Sequence, residues 1–368
     1  MTTDNQQPTT SNQQLLFGWS IVGHENIVEY LETSILNNKL THAYLFHGPG
    51  HIGKRAVAQK FISSILCEAR FQKKDVIEKD TKYPILPCKK CVSCKEFERN
   101  IHPDVYWLKK EKDEKRDALK KNISIKQIRQ LHDRLAMHSF LRGYKIAVIE
   151  GAEALSEEAA NALLKTLEEP TPQTIILLLA SKIEALPSTI ISRCQVLKFG
   201  LVRQDKISRW LQKIGVQKEE AEIFSSLSLG KPGRALSFFE DKDNFLDYKK
   251  KAEEFIEIIK ENIIRKFTII ENFLPRKMSV IETTLMLNEI LDIWESLLRD
   301  LILIKNSSKS NITFRIANIF IKEKLEKISG KYDNLQIVGL IKEIKKTREY
   351  LSQNVNPRLI MENLVLNF

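Results

Sequence analysis

The sequence contains no run of 18 or more uncharged apolar residues, so it offers no candidate for a membrane-spanning helix. Its start (MTTDNQQPTTSNQQ) lacks the positive-then-apolar pattern of a signal peptide, and we expect residues 1–14 to form a disordered leader. Cysteine is also scarce, with five residues in 368. These absences predict a cytoplasmic protein with no membrane attachment, in which disulfide bonds are not expected.

Positive charge is in excess, since 58 Lys and Arg against 47 Asp and Glu give a formal net charge of +11. Such an excess favours polyanions, and nucleic acid first among them. The competing explanation is a lysine-rich composition throughout the chain, because Lys, Ile and Asn are abundant everywhere. The charge therefore permits contact with DNA without demonstrating it.

A glycine-rich turn within residues 44–58 (YLFHGPGHIGKRAVA) carries the strongest functional signal. It lies between an apolar run and an amphipathic stretch, as in the strand–loop–helix arrangement of a phosphate-binding loop. The residues that we expect to bind phosphate are Gly48, Gly50, Gly53 and Lys54. The next position is Arg55, so the hydroxyl that coordinates Mg²⁺ in such loops is missing. A chance glycine-rich loop is the alternative, and Lys54 either contacts phosphate or is retained for structure.

Four of the five cysteines have the spacing of a metal site. They are Cys67, Cys88, Cys91 and Cys94. Gaps of two residues allow neighbouring thiolates to point at one ion, and four protein ligands leave zinc no open position for chemistry. We therefore predict a structural Zn²⁺ site within residues 67–94, against the alternative of free thiols on a loop.

A second acidic motif of an ATPase is expected at the end of the apolar run YKIAVI (144–149), where it would hold Mg²⁺ and activate water. The residues at this point are Glu150, which is longer than the usual Asp, and Gly151, which has no carboxylate. Both the metal site and the catalytic site thus depart from the working pattern. Two independent departures favour a protein that keeps the ATPase fold but does not hydrolyse ATP.

Strands alternating with helices across residues 44–199 predict an α/β fold with a parallel sheet. We expect a helix at 156–169, with Ser156 as its N-cap, and a buried strand at 174–180. The mixed-charge segment 109–121 is expected to be a solvated loop or helix end. The predicted domains are a P-loop-like domain at 15–200, a small helical lid at 201–240 and an all-helical domain at 241–368.

These residues together resemble the bacterial clamp-loader subunits of DNA polymerase III, within the AAA+ ATPases. The segments that carry the resemblance are the loop at 48–55, the cysteine insertion at 67–94, HPDV at 102–105, NALLKTLEEP at 161–170, Ser192-Arg193-Cys194 and NVNPRLIMENLVL at 354–366. The active gamma and tau subunits of this family have intact nucleotide motifs, whereas delta-prime subunits do not. The departures at Arg55, Glu150 and Gly151 therefore resemble the delta-prime type.

The resemblance also implies roles for single residues and partners. It gives Arg193 the role of an arginine finger, which acts in trans on ATP bound to a neighbouring subunit. It places the phosphate-sensing arginine at Gly233, so Arg234 is the sensor only if the alignment is shifted by one position. Residues 241–368 would form a collar against other clamp-loader subunits (gamma or tau, and delta). The complex would act on the sliding clamp and on primer–template DNA.

Three functions are consistent with the sequence. The first is a delta-prime-like scaffold with a degenerate ATP site, for which ATP binding is in doubt and Arg193 serves a neighbour. The second is an active gamma-type ATPase with unusual motifs. The third is a zinc-stabilised protein that binds nucleic acid through its own charge, which ranks last because the cysteine cluster lacks interleaved aromatic residues.

Overall fold

The computed structural model describes residues 16–70, 85–113, 118–120, 122–141, 143–274, 280–307, 316–353 and 355–368. The predicted leader at 1–14 and part of the cysteine insertion lie outside these ranges. The described residues form two compact units, the first lying within 1–110 and 121–200 and the second within 111–120 and 201–368. None of the helices in these ranges combines the length and the apolar character that a membrane span requires.

A five-stranded parallel sheet forms the centre of the first unit. In chain order the described strands are β1 (Leu16–Phe17), β2 (Ala43–His47), β3 (Ile85–Leu86), β4 (Val105–Leu108), β5 (Lys112–Asp113), β6 (Ala118–Leu119), β7 (Lys145–Glu150), β8 (Thr174–Ala180) and β9 (Gln195–Lys198). The sheet order is β4-β7-β8-β2-β9, and each neighbouring pair is parallel. The carboxyl ends of β2, β7 and β8 therefore meet at one edge.

Helices make up most of the remaining described chain. Those of the first unit are α1 (Glu25–Leu36), α2 (Lys54–Leu66), α3 (Val92–Glu98), α4 (Ile125–Ala136), α5 (Glu157–Glu168) and α6 (Ser188–Ile191). Those of the second unit are α7 (Gln204–Lys213), α8 (Lys218–Leu227), α9 (Pro232–Glu240), α10 (Lys242–Lys260), α11 (Ile263–Asn272), α12 (Val280–Ser307), α13 (Lys322–Ile328), α14 (Asn334–Ser352) and α15 (Pro357–Leu366).

The sheet is buried on both faces, which explains why its strands are continuous apolar runs. Tyr44 and Phe46 of β2 pack on one face with α2, whereas Leu45 packs on the other face with α4 and α5. The alternation follows from the period of two along a strand. Helices on both faces of a parallel sheet confirm the predicted α/β fold class.

The second unit is helical around the buried side chain of Trp294 on α12. Its indole ring contacts the rings of Phe255, Phe273 and Phe368 at centroid distances of 5.5–6.4 Å. Asp300, also on α12, is fully buried and accepts hydrogen bonds from the backbone N–H groups of Ala317 and Asn318. Burial raises the pKa of Asp300, and these hydrogen bonds act in the opposite direction.

The mixed-charge segment differs from its prediction. Strands β5 and β6 form a short antiparallel pair, in which Lys112 is opposite Leu119 and Asp113 is opposite Ala118. A solvated loop or helix end was therefore wrong for these four residues. Charge composition does not report backbone pairing, even between neighbouring segments such as these. Residues 111–120 group with the second unit. Whether 201–240 and 241–368 are separate domains stays a prediction.

Candidate functional site

The glycine-rich loop joins β2 to α2 at the carboxyl edge of the sheet, where parallel sheets bind their ligands. Gly48 and Gly53 have φ angles of 143° and 107°, which L side chains rarely adopt. A Cβ atom on Gly48 would also lie 2.2 Å from the carbonyl oxygen of Phe199, so packing alone requires glycine there. Gly50 has neither constraint, because its Cβ would meet open space.

Lys54 turns back onto its own loop. Its Nζ donates hydrogen bonds to the carbonyl oxygens of Gly48 at 2.5 Å and Pro49 at 2.8 Å. Burial lowers the pKa of Lys54, and the nearby carboxylate of Glu153 acts in the opposite direction. A phosphate group that entered the loop would have to draw the ammonium away from two carbonyl oxygens.

Arg55 and Glu150, which depart from the ATPase pattern at separate motifs, bind each other. The Nη1 atom of Arg55 lies 3.1 Å and 3.3 Å from the two carboxylate oxygens of Glu150. The guanidinium also lies over the ring of Trp107, 5.0 Å from its centroid. A cation of the protein therefore engages the carboxylate that a Mg²⁺ ion would need.

Two further features of this edge affect its chemistry. Gly151 follows β7 with a φ of 74° and offers no side chain to activate water. Glu153 accepts a hydrogen bond from the backbone N–H of Ser181 at 3.2 Å, and its second carboxylate oxygen is buried without a partner among the described residues. No role was predicted for Glu153 from the sequence, although its position three residues after an apolar strand was a usable signal.

The four cysteines converge on one point. Their sulfur atoms all lie within 4.8 Å of one another, and those of Cys88 and Cys94 are 4.0 Å apart. A tetrahedral zinc ion with Zn–S bonds of about 2.3 Å needs sulfurs about 3.8 Å apart, so this donor set fits the ion. A hydrogen bond from Cys94 lowers the pKa of the Cys67 thiol to about 5. Backbone N–H groups also donate to three of the sulfurs at 3.4 Å.

Contacts on two sides hold the cysteine cluster to the sheet domain. Cys67 directly follows α2, and Cys91 is the N-cap of α3. Strand β1 pairs with β3, just before the second cysteine, and Trp19 donates a hydrogen bond to Ser64 of α2 at 2.9 Å. A metal ion at the cluster would therefore join the end of α2 to the start of α3.

Arg193 lies two residues after α6, and its side chain is 37% exposed. Its Nη1 donates to the carbonyl oxygen of Thr189 at 3.0 Å, and its Nη2 lies 2.7 Å from a carboxylate oxygen of Glu168. The neighbouring Cys194 is partly buried, which raises the pKa of its thiol to about 12 and keeps it protonated near neutral pH. The arginine is thus oriented and still accessible from outside the chain.

Comparison of this chain with known proteins finds a matching family model and several similar relatives. A family model described as DNA polymerase III, delta subunit, matches residues 23–202. Over residues 23–202 this chain is therefore similar to that family. This match and the relatives described next confirm the resemblance to clamp-loader subunits.

Curated clamp-loader relatives match in different proportions. The delta-prime subunit of Haemophilus influenzae is 33% identical over 56% of this chain and 58% of its own length. The tau subunit of Bacillus subtilis is 32% identical over 64% of this chain and 39% of its own. The delta-prime subunit of Bacillus subtilis is 26% identical over 92% of this chain and 94% of its own length. The chain thus spans between two fifths and three fifths of the first two relatives, and nearly all of the third.

Arg234, the alternative position for a phosphate-sensing arginine, packs against aromatic rings. Arg234 is on α9 of the second unit, where its guanidinium lies 5.5 Å from the ring centroid of Tyr248 and 5.8 Å from that of Phe238. These ring contacts give Arg234 a packing function inside its own unit. Its role as a phosphate sensor stays a prediction.

Three contacting residues of the first unit were missed by sequence reasoning. Trp107 stacks on Arg55, Glu153 faces Lys54, and Glu168 binds Arg193. Glu168 was quoted as part of NALLKTLEEP, but no contact was assigned to it. The usable signal was charge complementarity between motifs that the fold brings together.

Proposed function

We propose that this protein is a delta-prime-like subunit of the DNA polymerase III clamp loader, with a degenerate ATP site of its own. The observation that carries this proposal is the ion pair between Arg55 and Glu150. Binding of Mg²⁺–ATP needs a hydroxyl at position 55 and a free carboxylate at the end of β7. Arginine at position 55 lacks the hydroxyl, and its ion pair engages the carboxylate. Gly151 then leaves the site without a group to activate water.

In this proposal Arg193 acts as an arginine finger on ATP held by a neighbouring subunit. A guanidinium presents a planar, permanently charged fork that matches phosphate oxygens, and such a finger is worth about 10³-fold or more in rate. The exposure of the Arg193 side chain and its anchoring to Thr189 support this role. A subunit can therefore lack ATPase activity and still be needed for the activity of another.

The cysteine cluster is proposed to hold a structural Zn²⁺ ion. Four protein sulfurs would complete its coordination, so the ion would fix the insertion to the sheet domain and take no part in ATP chemistry. The proposed partners are the gamma or tau and delta subunits, the sliding clamp, and primer–template DNA through the complex. A role in DNA replication would place the protein in the cytoplasm.

The test is nucleotide binding and steady-state ATPase activity of the purified chain, with Mg²⁺ and zinc present. We expect negligible turnover, no strengthening of nucleotide binding by Mg²⁺, and no change in turnover on Lys54→Ala. Clear turnover that Lys54→Ala abolishes would instead support an active gamma-type ATPase, the alternative favoured by the intact Gly48, Gly53 and Lys54. In a loader assembled with its gamma-type and delta-type subunits, Arg193→Ala should lower the rate of hydrolysis at the ATP site that Arg193 serves by about 10³-fold.

A further inference from the structure

The segment NALLKTLEEP contains a glutamate in an unfavourable place for helix stability. Glu168 is the last residue of α5, where the negative end of the helix dipole disfavours a carboxylate. The acidic residues Glu157 and Glu158, in contrast, lie in the first turn, where the dipole favours them. The stability of α5 therefore does not explain Glu168, and its contact with Arg193 does.

The contact orients the arginine and leaves donors available. The Nη2 of Arg193 lies 2.7 Å from Oε1 of Glu168, and Nη1 donates to the carbonyl oxygen of Thr189 at 3.0 Å and to Ser192 Oγ at 3.5 Å. A guanidinium has five N–H groups, so these bonds leave donors for a phosphate. Side-chain exposures of 37% for Arg193 and 49% for Glu168 keep both groups accessible.

We propose that Glu168 is a positioning residue for Arg193, an inference that rests on the proposed trans-acting role of this arginine. A free arginine side chain samples many rotamers and must be ordered before it can bind a phosphate on another subunit. Glu168 holds the guanidinium beside α6 before assembly, so less conformational freedom is lost when the neighbour's ATP is engaged. Among the described residues, the weaker contacts to Thr189 and Ser192 would remain without Glu168.

The experiment measures ATPase activity of the assembled loader that contains Glu168→Gln. We expect kcat to fall about two- to fivefold, the effect of losing an exposed ion pair, with KM for ATP unchanged because ATP is bound on the neighbour. Glu168→Asp, which keeps the charge, should restore part of the loss. Glu169→Gln is the matched control: it makes the same charge change one position along, and within the described ranges Glu169 has no ion-pair partner.

A double-mutant cycle separates positioning from a general effect. In the Arg193→Ala background, Glu168→Gln should change kcat no further, because its effect passes through the arginine. If Arg193→Ala lowers activity while Glu168→Gln behaves like Glu169→Gln, or raises kcat, the positioning role is refuted and the arginine finger stands. If Arg193→Ala itself leaves ATPase activity unchanged, the trans-acting function fails, and the positioning inference fails with it.

Discussion

Replacing Arg55 by serine tests the proposed cause of the degenerate ATP site. The variant supplies the missing hydroxyl and releases the carboxylate of Glu150 at the same time. We therefore expect Arg55→Ser to bind an ATP analogue more tightly in Mg²⁺ than in EDTA. The wild-type protein should bind the analogue equally in both.

The size of the effect follows from the contacts of Arg55. The side chains of Arg55 and Glu150 are 54% and 34% exposed, so solvent limits their ion pair to at most about 1 kcal/mol. Stacking of the guanidinium on Trp107 adds about 0.5–1 kcal/mol. A metal ion that displaces the arginine must therefore overcome at most about 2 kcal/mol, which corresponds to at most about 30-fold in Kd.

A fluorescent ATP analogue titrated in Mg²⁺ and in EDTA measures this difference. Arg129→Ser, at an exposed arginine of α4, is the matched control and should bind like the wild type. Turnover should stay negligible in Arg55→Ser, because Gly151 still offers no carboxylate to activate water. A side chain at position 151 would itself be strained, since the backbone φ there is 74°. The reasoning is refuted if Mg²⁺ strengthens binding by the wild type as much as by Arg55→Ser.

Three further results are expected. Gly48→Ala should lower the free energy of unfolding by about 2–4 kcal/mol in denaturant titrations, because the added Cβ would lie 2.2 Å from the carbonyl oxygen of Phe199. Gly50→Ala, whose Cβ meets open space, should change it by no more than about 0.5 kcal/mol. Equal losses in the two variants would contradict the packing argument. Cys91→Ser should lower both the zinc content, measured by elemental analysis, and Tm, and a wild-type protein purified without zinc would count against the metal site. Burial raises the pKa of Tyr248 from 10.0 to about 12. The unfolded chain therefore loses this proton first as pH rises, and stability falls between pH 10 and 12; Tyr248→Phe should make that fall in Tm shallower than in the wild type.

Local sequence signals predicted the elements around the site because the physics there is local. Six apolar residues in a row after Thr174 predicted β8, which spans Thr174–Ala180 as expected. The hydroxyl of Ser156 accepts a hydrogen bond from the backbone N–H of Ala159, as expected of the N-cap of α5. The cysteine spacing likewise predicted a convergent cluster, because its two-residue gaps restrict where the sulfurs can point.

Contacts between separate motifs could not be predicted from local sequence signals. Arg55 and Glu150 are 95 positions apart, and both had been interpreted as losses at separate motifs. Their pairing depends on the sheet order, which places β7 two strands from β2 with both carboxyl ends at one edge. The contact between Glu168 and Arg193 depends in the same way on how α5 and α6 pack. Charge patterns suggest such pairs only after the topology is known.

The sheet order also explains which parts of the ATPase pattern remain. Position 48 requires glycine because the carbonyl oxygen of Phe199, just after β9, lies too close for a side chain. Lys54 donates hydrogen bonds to two carbonyl oxygens of its own loop. These residues serve the fold whether or not a nucleotide is present. Two of the positions that differ, Arg55 and Gly151, are ones whose usual side chains serve only metal binding or hydrolysis. An intact glycine–lysine loop in this chain is therefore weak evidence for nucleotide turnover, and the pairing of Arg55 with Glu150 is the more informative feature.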